Sequence, residues 1–478
     1  MIGVEYDDEY AVQEVFQLLK VPWEWYTPAS ASTYDVVIAK NGHIPKACNV
    51  IDLTGNDLIK KIADTLNEGL PPSRRPICEE YLDALRQQLK RFTPLIEIPP
   101  VPWGYNYSLA LTHDVDITSV RERSFPSVLY AAYNCFRQRK FLEGTRIILA
   151  KLGLVEDPWN LFVAWRALEE KHQVKSTFYF LPRSGHAGIG SPKIRAGHYS
   201  IDNLPIEELT LGGWEVGIHG IDNWIDKASA DAERISLSRD ARVRVGTRVH
   251  WLHFDEGTWQ ILDDAGYEYD STFGYNEDVG FRAGTLQVYK PRGVERLLEL
   301  PLHIQDVSLF GRHCWLTTEE GCKRVDCLGL DTDEAHRICN EILDQALRYG
   351  GVVTVLWHSD CLAAPRDWGD VYTGILNRAK SDNAWITRAI DIVDWFRMRR
   401  RVQLGYSRSK DRLSITVAGL EPVRSLPPLR LRVHVDPEQV RHIDAEYVCG
   451  DGYVDIRCDR ERVNVVLARE TRDFVHSR

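Results

Sequence analysis

Three short apolar segments of this sequence end in side chains that can hold a metal ion or move a proton. The endings are Asp114 and Asp116 after LALTH, His219 after EVGI, and His358 after VVTVLW. Apolar strands need no such endings in order to fold, and parallel strands bring their carboxyl ends to one edge of a sheet. The repetition therefore predicts one shared site at the carboxyl edge of a parallel sheet.

The segment between residues 107 and 400 alternates short apolar runs with amphipathic helices. Strands are expected at residues 109–113, 176–181, 215–219, 299–304 and 352–358. Helices are expected at residues 159–171 and 333–349, the second with one apolar face and with Gly350 as its C-cap. Alternation of this kind predicts an α/β sheet or barrel with parallel strands.

Two flanking domains are expected on either side of this segment. Residues 1–95 have the pattern of a small α/β domain, with helices at 11–19, 57–66 and 78–92 and a strand at 34–39. Four prolines between residues 94 and 102 exclude regular structure, so the central domain is placed at residues 104–400. Residues 401–478 alternate apolar and polar side chains between turn residues, which predicts a β-sandwich-like antiparallel domain.

Composition and charge exclude several classes of protein. A chain of 478 residues exceeds one hydrophobic core, and its formal net charge of -10 argues against a general nucleic-acid binder. The sequence has no apolar run long enough for a transmembrane helix, and MIGVEYDDEY is not a secretory signal. Ten scattered cysteines without a CxxC pair suggest thiols in a reducing compartment, so a cytoplasmic location is expected.

Each chemical signal also has a structural interpretation. Asp114 and Asp116 could act as a metal ligand beside a proton acceptor, or as loop residues that make turn hydrogen bonds. His219 and His358 could be ligands or acid–base groups, or could simply make hydrogen bonds at the ends of their strands. The occurrence of all these residues at strand ends in one chain favours a catalytic or metal-binding role over a structural one.

That combination resembles the polysaccharide deacetylase family, also called carbohydrate esterase family four. The family has an aspartate element after its first barrel strand, then a histidine motif, an arginine motif and a final leucine–histidine motif. The corresponding segments here are residues 112–116 (THDVD), His219, Arg248 and residues 356–358 in the same order. Residues 176–181 and the YDS element at 269–271 add to a resemblance that covers roughly residues 107–359.

The resemblance implies a deformed (β/α) barrel that removes acetyl groups from sugars, and it implies a role for each matching residue. Asp114 would be the general base, and His358 the general acid that protonates the leaving amine. Arg248 would keep Asp114 ionised by pairing with it, and Asp270 would orient that arginine. Asp116 and His219 would be ligands of a divalent metal. Zinc is expected because it accepts mixed nitrogen and oxygen ligands, with cobalt, nickel or iron as alternatives.

The chain departs from the family pattern at the second metal-binding histidine. That position, four residues after His219, is occupied by Asn223, whose amide is a poor ligand for a transition metal. The arginine motif also differs, because RVHWLH places His250 two residues after Arg248. We therefore expect His250 to supply the missing ligand. It could also be a packed histidine at a strand end, and the alternative ligands are His113, Asp222 and His253.

Two further residues are expected to contact the substrate. Arg282 lies in the glycine-flanked segment GFRAGT and could bind a carboxylate or a phosphate, and Trp251 could stack on a sugar ring. His303 and Asp306 end the predicted strand at 299–304, where they would at most line the pocket.

The function expected from the sequence is metal-dependent removal of an acetyl or similar acyl group from an amino sugar or a polysaccharide precursor. The partner is then a carbohydrate or another small molecule. One alternative is hydrolysis of a different non-peptide C–N bond in a small molecule. The other is a carbohydrate-binding scaffold whose metal site has decayed, with Asn223 as the mark of that decay.

Overall fold

The computed structural model of the chain describes residues 1–40, 49–183, 199–237, 244–318, 321–409 and 411–468. The chain divides into two compact units. One unit contains Met1–Thr65, Ile77–Tyr105 and Asp394–Arg478, and the other contains Leu66–Pro76 and Asn106–Val393. The two terminal segments thus share one unit, while the division into three domains stays a prediction.

The amino-terminal segment forms a small parallel sheet with helices, as the sequence pattern predicts. Its strands are β1 (Ile2–Glu5), β2 (Trp23–Trp25), β3 (Val36–Ala39), β4 (Val50–Asp52) and β5 (Ile96–Glu97). Its helices are α1 (Glu9–Leu19), α2 (Leu58–Glu68) and α3 (Ile77–Leu89). The first four strands pair in the order β2–β1–β3–β4. Helix α1 begins where the Asp8 side chain accepts a hydrogen bond from the amide of Ala11.

The second unit is built from a larger set of strands and helices. Its strands are β6 (Ser108–Val115), β7 (Thr177–Phe180), β8 (Glu215–Gly220), β9 (Thr247–Val249), β10 (Tyr269–Asp270), β11 (Leu298–Glu299), β12 (Ile304–Gln305), β13 (His313–Thr318), β14 (Gly321–Asp326), β15 (Val352–Leu356) and β16 (Trp385–Thr387). Its helices are α4 (Phe125–Arg137), α5 (Phe141–Lys151), α6 (Phe162–Lys171), α7 (Ile206–Leu211), α8 (Lys227–Leu237), α9 (Thr258–Asp264), α10 (Asp306–Phe310), α11 (Thr332–Tyr349), α12 (Gly369–Ser381) and the start of α13 (Ala389–Arg401).

The central sheet of this unit is parallel and strongly curled. Its strand order is β11–β10–β9–β8–β7–β6–β15–β12, with β16 also pairing to β6. Strands β11 and β12 lie at opposite ends of that order, yet only residues 300–303 connect them. Those residues span at most about 17 Å, whereas the edges of a flat eight-stranded sheet would be about 34 Å apart. The sheet must therefore curl until its edges meet, which confirms the deformed barrel.

The connection between the two edges corrects one sequence prediction. A single strand was predicted over residues 299–304, but the structure has two short strands on opposite edges. Pro301 has no amide proton to donate to a sheet ladder, so regular pairing ends there. The amide of Leu300 donates to the Asp270 carbonyl on one edge, and the amide of His303 donates to the Thr354 carbonyl on the other.

Strand β6 lies in the middle of the sheet and is buried along its whole length. It pairs with β15 on one side, and with β16 and then β7 on the other. A strand covered on both faces needs a nearly continuous apolar run, and LAL supplies it before the polar end of the strand. The alternation of side chains then places Asp114 on one face of the sheet and His113 on the other.

The long helix before β15 forms as its sequence predicts. A capping box joins Asp331 and Glu334 at the start of α11, and Gly350 ends the helix with a φ of 76°. The predicted apolar face is buried, and its members are Ala335, Ile338, Ile342 and Ala346. Their packing fixes the position at which β15 begins.

The carboxyl-terminal segment forms antiparallel sheets, as predicted. Its strands are β17 (Gln403–Ser409), β18 (Arg412–Ala418), β19 (Leu429–Val433), β20 (Val440–Ile443), β21 (Tyr447–Gly450), β22 (Tyr453–Cys458) and β23 (Arg462–Leu467). One sheet has the order β17–β18–β23–β20 and the other has the order β21–β22–β19–β5. The second sheet includes β5, so it is completed by a strand from residues 96–97.

In the part of the chain that the structure describes, no helix is both long and apolar enough to cross a membrane.

Candidate metal and acid–base site

The residues predicted to form the site meet at the carboxyl edge of the curled sheet. Asp114 is near the end of β6 and His219 near the end of β8. Asp116 and His250 directly follow β6 and β9, and His358 lies two residues after the end of β15. They line a cavity of about 180 Å³. Its other lining residues are Trp251, Leu252, Asn276, Gln305, Val307, His313, Cys314, Leu356 and Arg366.

Asp116 lies at the centre of a cluster of three histidines. Its Oδ1 is 3.3 Å from His219 Nε2 and 3.4 Å from His250 Nε2, and its Oδ2 is 3.6 Å from His358 Nε2. Burial favours the protonated acid, but the facing histidines, His250 foremost, outweigh burial and hold the pKa of Asp116 well below its usual range. This carboxyl group is therefore ionised.

The ligand atoms of Asp116, His219 and His250 fit a divalent cation. The three atoms lie within 4.8 Å of one another. Around a zinc ion with bonds of about 2.0–2.1 Å, neighbouring tetrahedral ligands are about 3.3 Å apart, which matches the two distances from Asp116 Oδ1. That oxygen is buried and has no hydrogen-bond partner among the described residues. A cation would satisfy it.

The tautomer of His219 is suited to metal binding. Its Nδ1 is 2.8 Å from the carbonyl oxygen of Arg248, which can only accept a hydrogen bond, so Nδ1 carries the proton. The lone pair on Nε2 then faces the aspartates. A backbone carbonyl that fixes the ring in this way is a common partner of metal-binding histidines.

Arg248 joins the general-base candidate to the rest of the barrel. It is fully buried, and its Nη1 donates to Asp114 Oδ1 at 3.0 Å and to Thr112 Oγ1 at 2.8 Å. Its Nε and Nη2 donate to the carbonyl and hydroxyl oxygens of Ser271. Burial lowers the pKa of Arg248, but the charge of Asp114 outweighs it and the pKa is raised. The guanidinium thus stays charged beside Asp114.

Asp270, which the resemblance assigns to orienting Arg248, directly precedes the residue that binds the guanidinium. The arginine is held by Ser271, while Asp270 Oδ1 accepts hydrogen bonds from the amide and hydroxyl of Thr272. The carboxyl group of Glu299 lies beside Asp270, and both residues are fully buried. Burial raises the pKa of Asp270 to about 6, and burial together with the charge of Asp270 raises that of Glu299 well above its usual range.

His358 forms a dyad with an aspartate whose role the sequence analysis missed. Asp306 follows β12, and its Oδ1 accepts a hydrogen bond from His358 Nδ1 at 2.7 Å. Its Oδ2 accepts the amide of His358 at 2.7 Å. Burial lowers the pKa of His358, but Asp306 outweighs it and raises that pKa to about 9. The position of Asp306 at a strand end was the available signal, but sequence does not show that β12 pairs with β15.

Asn223 and the alternative ligands lie outside the cluster. Asn223 is buried, and its Nδ2 donates to Thr247 Oγ1. His113 is on the opposite face of β6, where its Nε2 is 2.9 Å from Glu169. The ring of His253 stacks between Trp224 and Trp251. The Asp222 amide donates to Glu233, and its carboxyl group is not in the cluster that the described residues form.

The two predicted substrate contacts lie in different places. Trp251 lines the site cavity and has a positive φ of 63°. Arg282 lines a neighbouring cavity of about 250 Å³, which shares Leu252 and Asn276 with the first. Its guanidinium lies 4.3 Å from the ring of Phe273 and donates to the Gly274 carbonyl. His303 accepts the Thr354 amide with one ring nitrogen and donates to the Thr285 carbonyl with the other, so it is a structural residue.

Comparison with known proteins gives only weak global similarities. No family model matches the chain, and neither does any curated protein sequence. A structure from Mycobacterium smegmatis assigned as a polysaccharide deacetylase has 18% identity and a TM-score of 0.40, covering 66% of this chain and 99% of that one. A structure from Pseudomonas aeruginosa PAO1 with the same assignment has 13% identity and a TM-score of 0.35, covering 63% and 94%.

The 4-α-glucanotransferase of Thermococcus litoralis is a third similar structure. It has 13% identity and a TM-score of 0.31, covering 60% of this chain and 38% of that one. Likenesses with TM-scores this low do not establish a family. The function of this chain has to be inferred from its own site.

The buried pair of Asp270 and Glu299 predicts a pH-dependent stability. An acid whose pKa is higher in the folded state than in the unfolded chain stabilises the fold while it is protonated, and this contribution is lost as the pH rises through the folded pKa. The free energy of unfolding of wild type should therefore fall between pH 5 and pH 8. That of Asp270→Asn should fall by about 2 kcal/mol less over the same range.

Urea unfolding at the two pH values measures this difference. The exposed Asp264→Asn is the matched control and should follow wild type at both. If the free energies of unfolding of wild type and Asp270→Asn had the same pH dependence, ionisation of Asp270 would not destabilise the fold.

Proposed function

We propose that this chain is a metal-dependent hydrolase that removes an acetyl or similar acyl group from an amino sugar or a polysaccharide precursor. The observation that carries the proposal is the placement of Asp116 Oδ1 between two imidazole nitrogens, next to Asp114. Asp114 Oδ2 is 3.6 Å from His219 Nε2, so a second carboxylate lies at the edge of the candidate metal site. A carboxylate in that position can take a proton from water.

Asp116, His219 and His250 would hold the cation, and zinc suits this set of one oxygen and two nitrogen ligands. Cobalt, nickel or iron would accept the same ligands. When bound, the cation would lower the pKa of water and polarise the acyl carbonyl. This ligand set also weakens the case for a decayed scaffold, because His250 takes the place that Asn223 leaves open.

Asp114 is the proposed general base. Arg248 and Thr112 lie on one side of it, and the hydrogen bond from Arg248 to Oδ1 fixes the carboxylate. Oδ2 is left on the side of His219 and can accept the proton of the attacking water. Removal of a proton by a positioned carboxylate accelerates hydrolysis by about 10²–10⁴-fold.

His358 is the proposed general acid. Asp306 binds its Nδ1, so the proton on Nε2 is directed toward Asp116 and the cavity. Amide cleavage releases a poor leaving group, an amine that must be protonated as the C–N bond breaks. His358 can supply that proton, while Asp306 stabilises the ring in the protonated state.

The substrate is proposed to be an acetylated amino sugar that enters beside Trp251. The cavity of about 180 Å³ suits a single acetamido group, and an aromatic side chain at its wall can stack on the sugar ring. Arg282 in the neighbouring cavity would bind a carboxylate or phosphate carried by the same substrate.

The eight cysteines described as free thiols support a reducing, cytoplasmic location.

Metal content and acetate release test the proposal together. Wild-type protein purified without chelator should carry about one metal ion per chain and release acetate from N-acetylated amino sugars. Asp114→Asn should keep the metal and lose at least about 100-fold in kcat, because only the proton acceptor is removed. His250→Ala should lose the metal.

His253→Ala is the matched control, because His253 lies three residues further along the chain and stacks between two tryptophans instead of facing Asp116. It should keep the metal. Retention of metal by His250→Ala would reject the ligand set. A metal-loaded wild type that releases no acetate from any acetylated sugar would reject the substrate class and favour another C–N bond.

The dyad of Asp306 and His358 generates a separate prediction. Asp306→Asn should lower kcat roughly 10- to 100-fold with little change in KM, because the amide no longer stabilises a protonated His358. Asp326→Asn is the control, since Asp326 forms a similar but exposed pair with His313 at 2.8 Å. Equal effects of the two substitutions would remove His358 from the role of acid.

A further inference from the structure

A pair of helices inserted after β6 forms a separate element beside the site. Helices α4 and α5 run from Phe125 to Lys151, and we call them the helical hairpin. Its inner face is buried in a small apolar cluster of its own, which includes Val128, Cys135, Ile147 and Trp159. The hairpin is therefore a packed part of this unit with a defined inner and outer side.

The outer side of the hairpin exposes an unusual number of large apolar side chains. Of eighteen large hydrophobic residues that are exposed in the described chain, six lie on the hairpin and two more directly follow it in residues 152–154. They are Phe125, Leu129, Tyr130, Tyr133, Phe141, Leu142, Leu152 and Leu154. Single exposed leucines are normal on a soluble protein, but a concentration of this size marks an interaction surface.

The same segment carries the opposite charge from the rest of the protein. Residues 125–151 contain five basic side chains and one acidic side chain, a net charge of +4 in a chain whose formal net charge is -10. Arg137 and Arg146 are exposed on the two helices, and Arg139 is exposed in the turn between them. Exposed aromatic and leucine side chains combined with arginine favour the boundary between water and an anionic bilayer.

The hairpin also adjoins the entrance to the site. Tyr130 and Asn134 share a groove with Arg366, which in turn lines the cavity that contains Asp116. The turn of the hairpin is fixed to the same loop, because Lys140 Nζ is 2.6 Å from the carboxyl group of Asp367. A surface bound by the hairpin would lie next to the mouth of the cavity.

We propose that the helical hairpin binds the surface of an anionic lipid bilayer. Its helices have 13 and 11 residues, too few to cross a bilayer, so their apolar side chains would enter only the headgroup region. The positive charge of the segment complements anionic headgroups, whereas the net negative charge of the whole chain does not. Binding should therefore require both the apolar side chains and the arginines.

Flotation of the full chain with vesicles tests the proposal, and it needs no catalytic turnover. Wild type should bind vesicles that contain phosphatidylglycerol, bind phosphatidylcholine vesicles weakly, and be released by high salt. Tyr130→Ser/Tyr133→Ser and Arg137→Glu/Arg146→Glu should each lower the partition coefficient at least about tenfold. All four residues are exposed, and thermal unfolding would show that the variants still fold.

Leu211→Ser and Leu347→Ser are the matched controls. Both leucines are exposed. They lie in the last turns of α7 and α11, which precede β8 and β15, and so at the opposite edge of the sheet from the site. These variants should bind within about twofold of wild type, because they remove apolar surface outside the hairpin. A wild type that does not bind anionic vesicles at low salt would overturn the proposal, as would equal losses in the controls. Self-association that the tyrosine substitutions abolish, without vesicle binding, would assign the surface to a second copy instead.

Discussion

The geometry of the site depends on one buried guanidinium. Arg248 comes from β9, yet it donates hydrogen bonds to Thr112 and Asp114 on β6, and β7 and β8 lie between these strands in the sheet. It can reach them only across the interior of a curled sheet. A buried cation without a partner would be very unfavourable, so the carboxyl group of Asp114 and the oxygens of Ser271 are required by the fold as well as by the proposed chemistry.

Two neighbouring residues of β6 have different roles because they lie on opposite faces of the curled sheet. Asp114 faces the barrel interior and the candidate metal site. His113 faces the helices, where Glu169 also accepts hydrogen bonds from Ser176, Trp214 and Tyr372. In the motif THDVD, His113 thus anchors β6 to the helices, whereas Asp114 and Asp116 face the candidate metal site. Because alternation along a strand is strict, a shift of one residue would exchange these roles.

Much of the site could be predicted because its residues follow apolar strands. Asp116, His219 and His250 meet because parallel strands end at one edge, and that rule needs only the positions of the strands. The prediction that His250 replaces the histidine missing at position 223 came from comparison with the pattern of the family that the sequence resembles. By contrast, Asp306 pairs with His358 because β12 lies beside β15, and that pairing depends on how the sheet closes.

Other features depend on long-range contacts that no local pattern shows. Strand β5 pairs with β19 although more than three hundred residues separate them, so the terminal segments share a unit that the sequence divided between two domains. The helical hairpin was not predicted, because large apolar residues lie on both its buried and its exposed faces. The hydrogen bonds from Arg248 to Ser271 join β9 to the end of β10, and sequence alone does not show them.

The central claim is that Asp116, His219 and His250 bind one divalent cation. Anomalous diffraction from a crystal of the zinc-loaded protein, collected on both sides of the zinc absorption edge, tests it most directly. We predict one strong peak at about 2.0–2.2 Å from Asp116 Oδ1 and from the Nε2 atoms of both histidines. A zinc peak elsewhere, or none between these three residues, would contradict the claim.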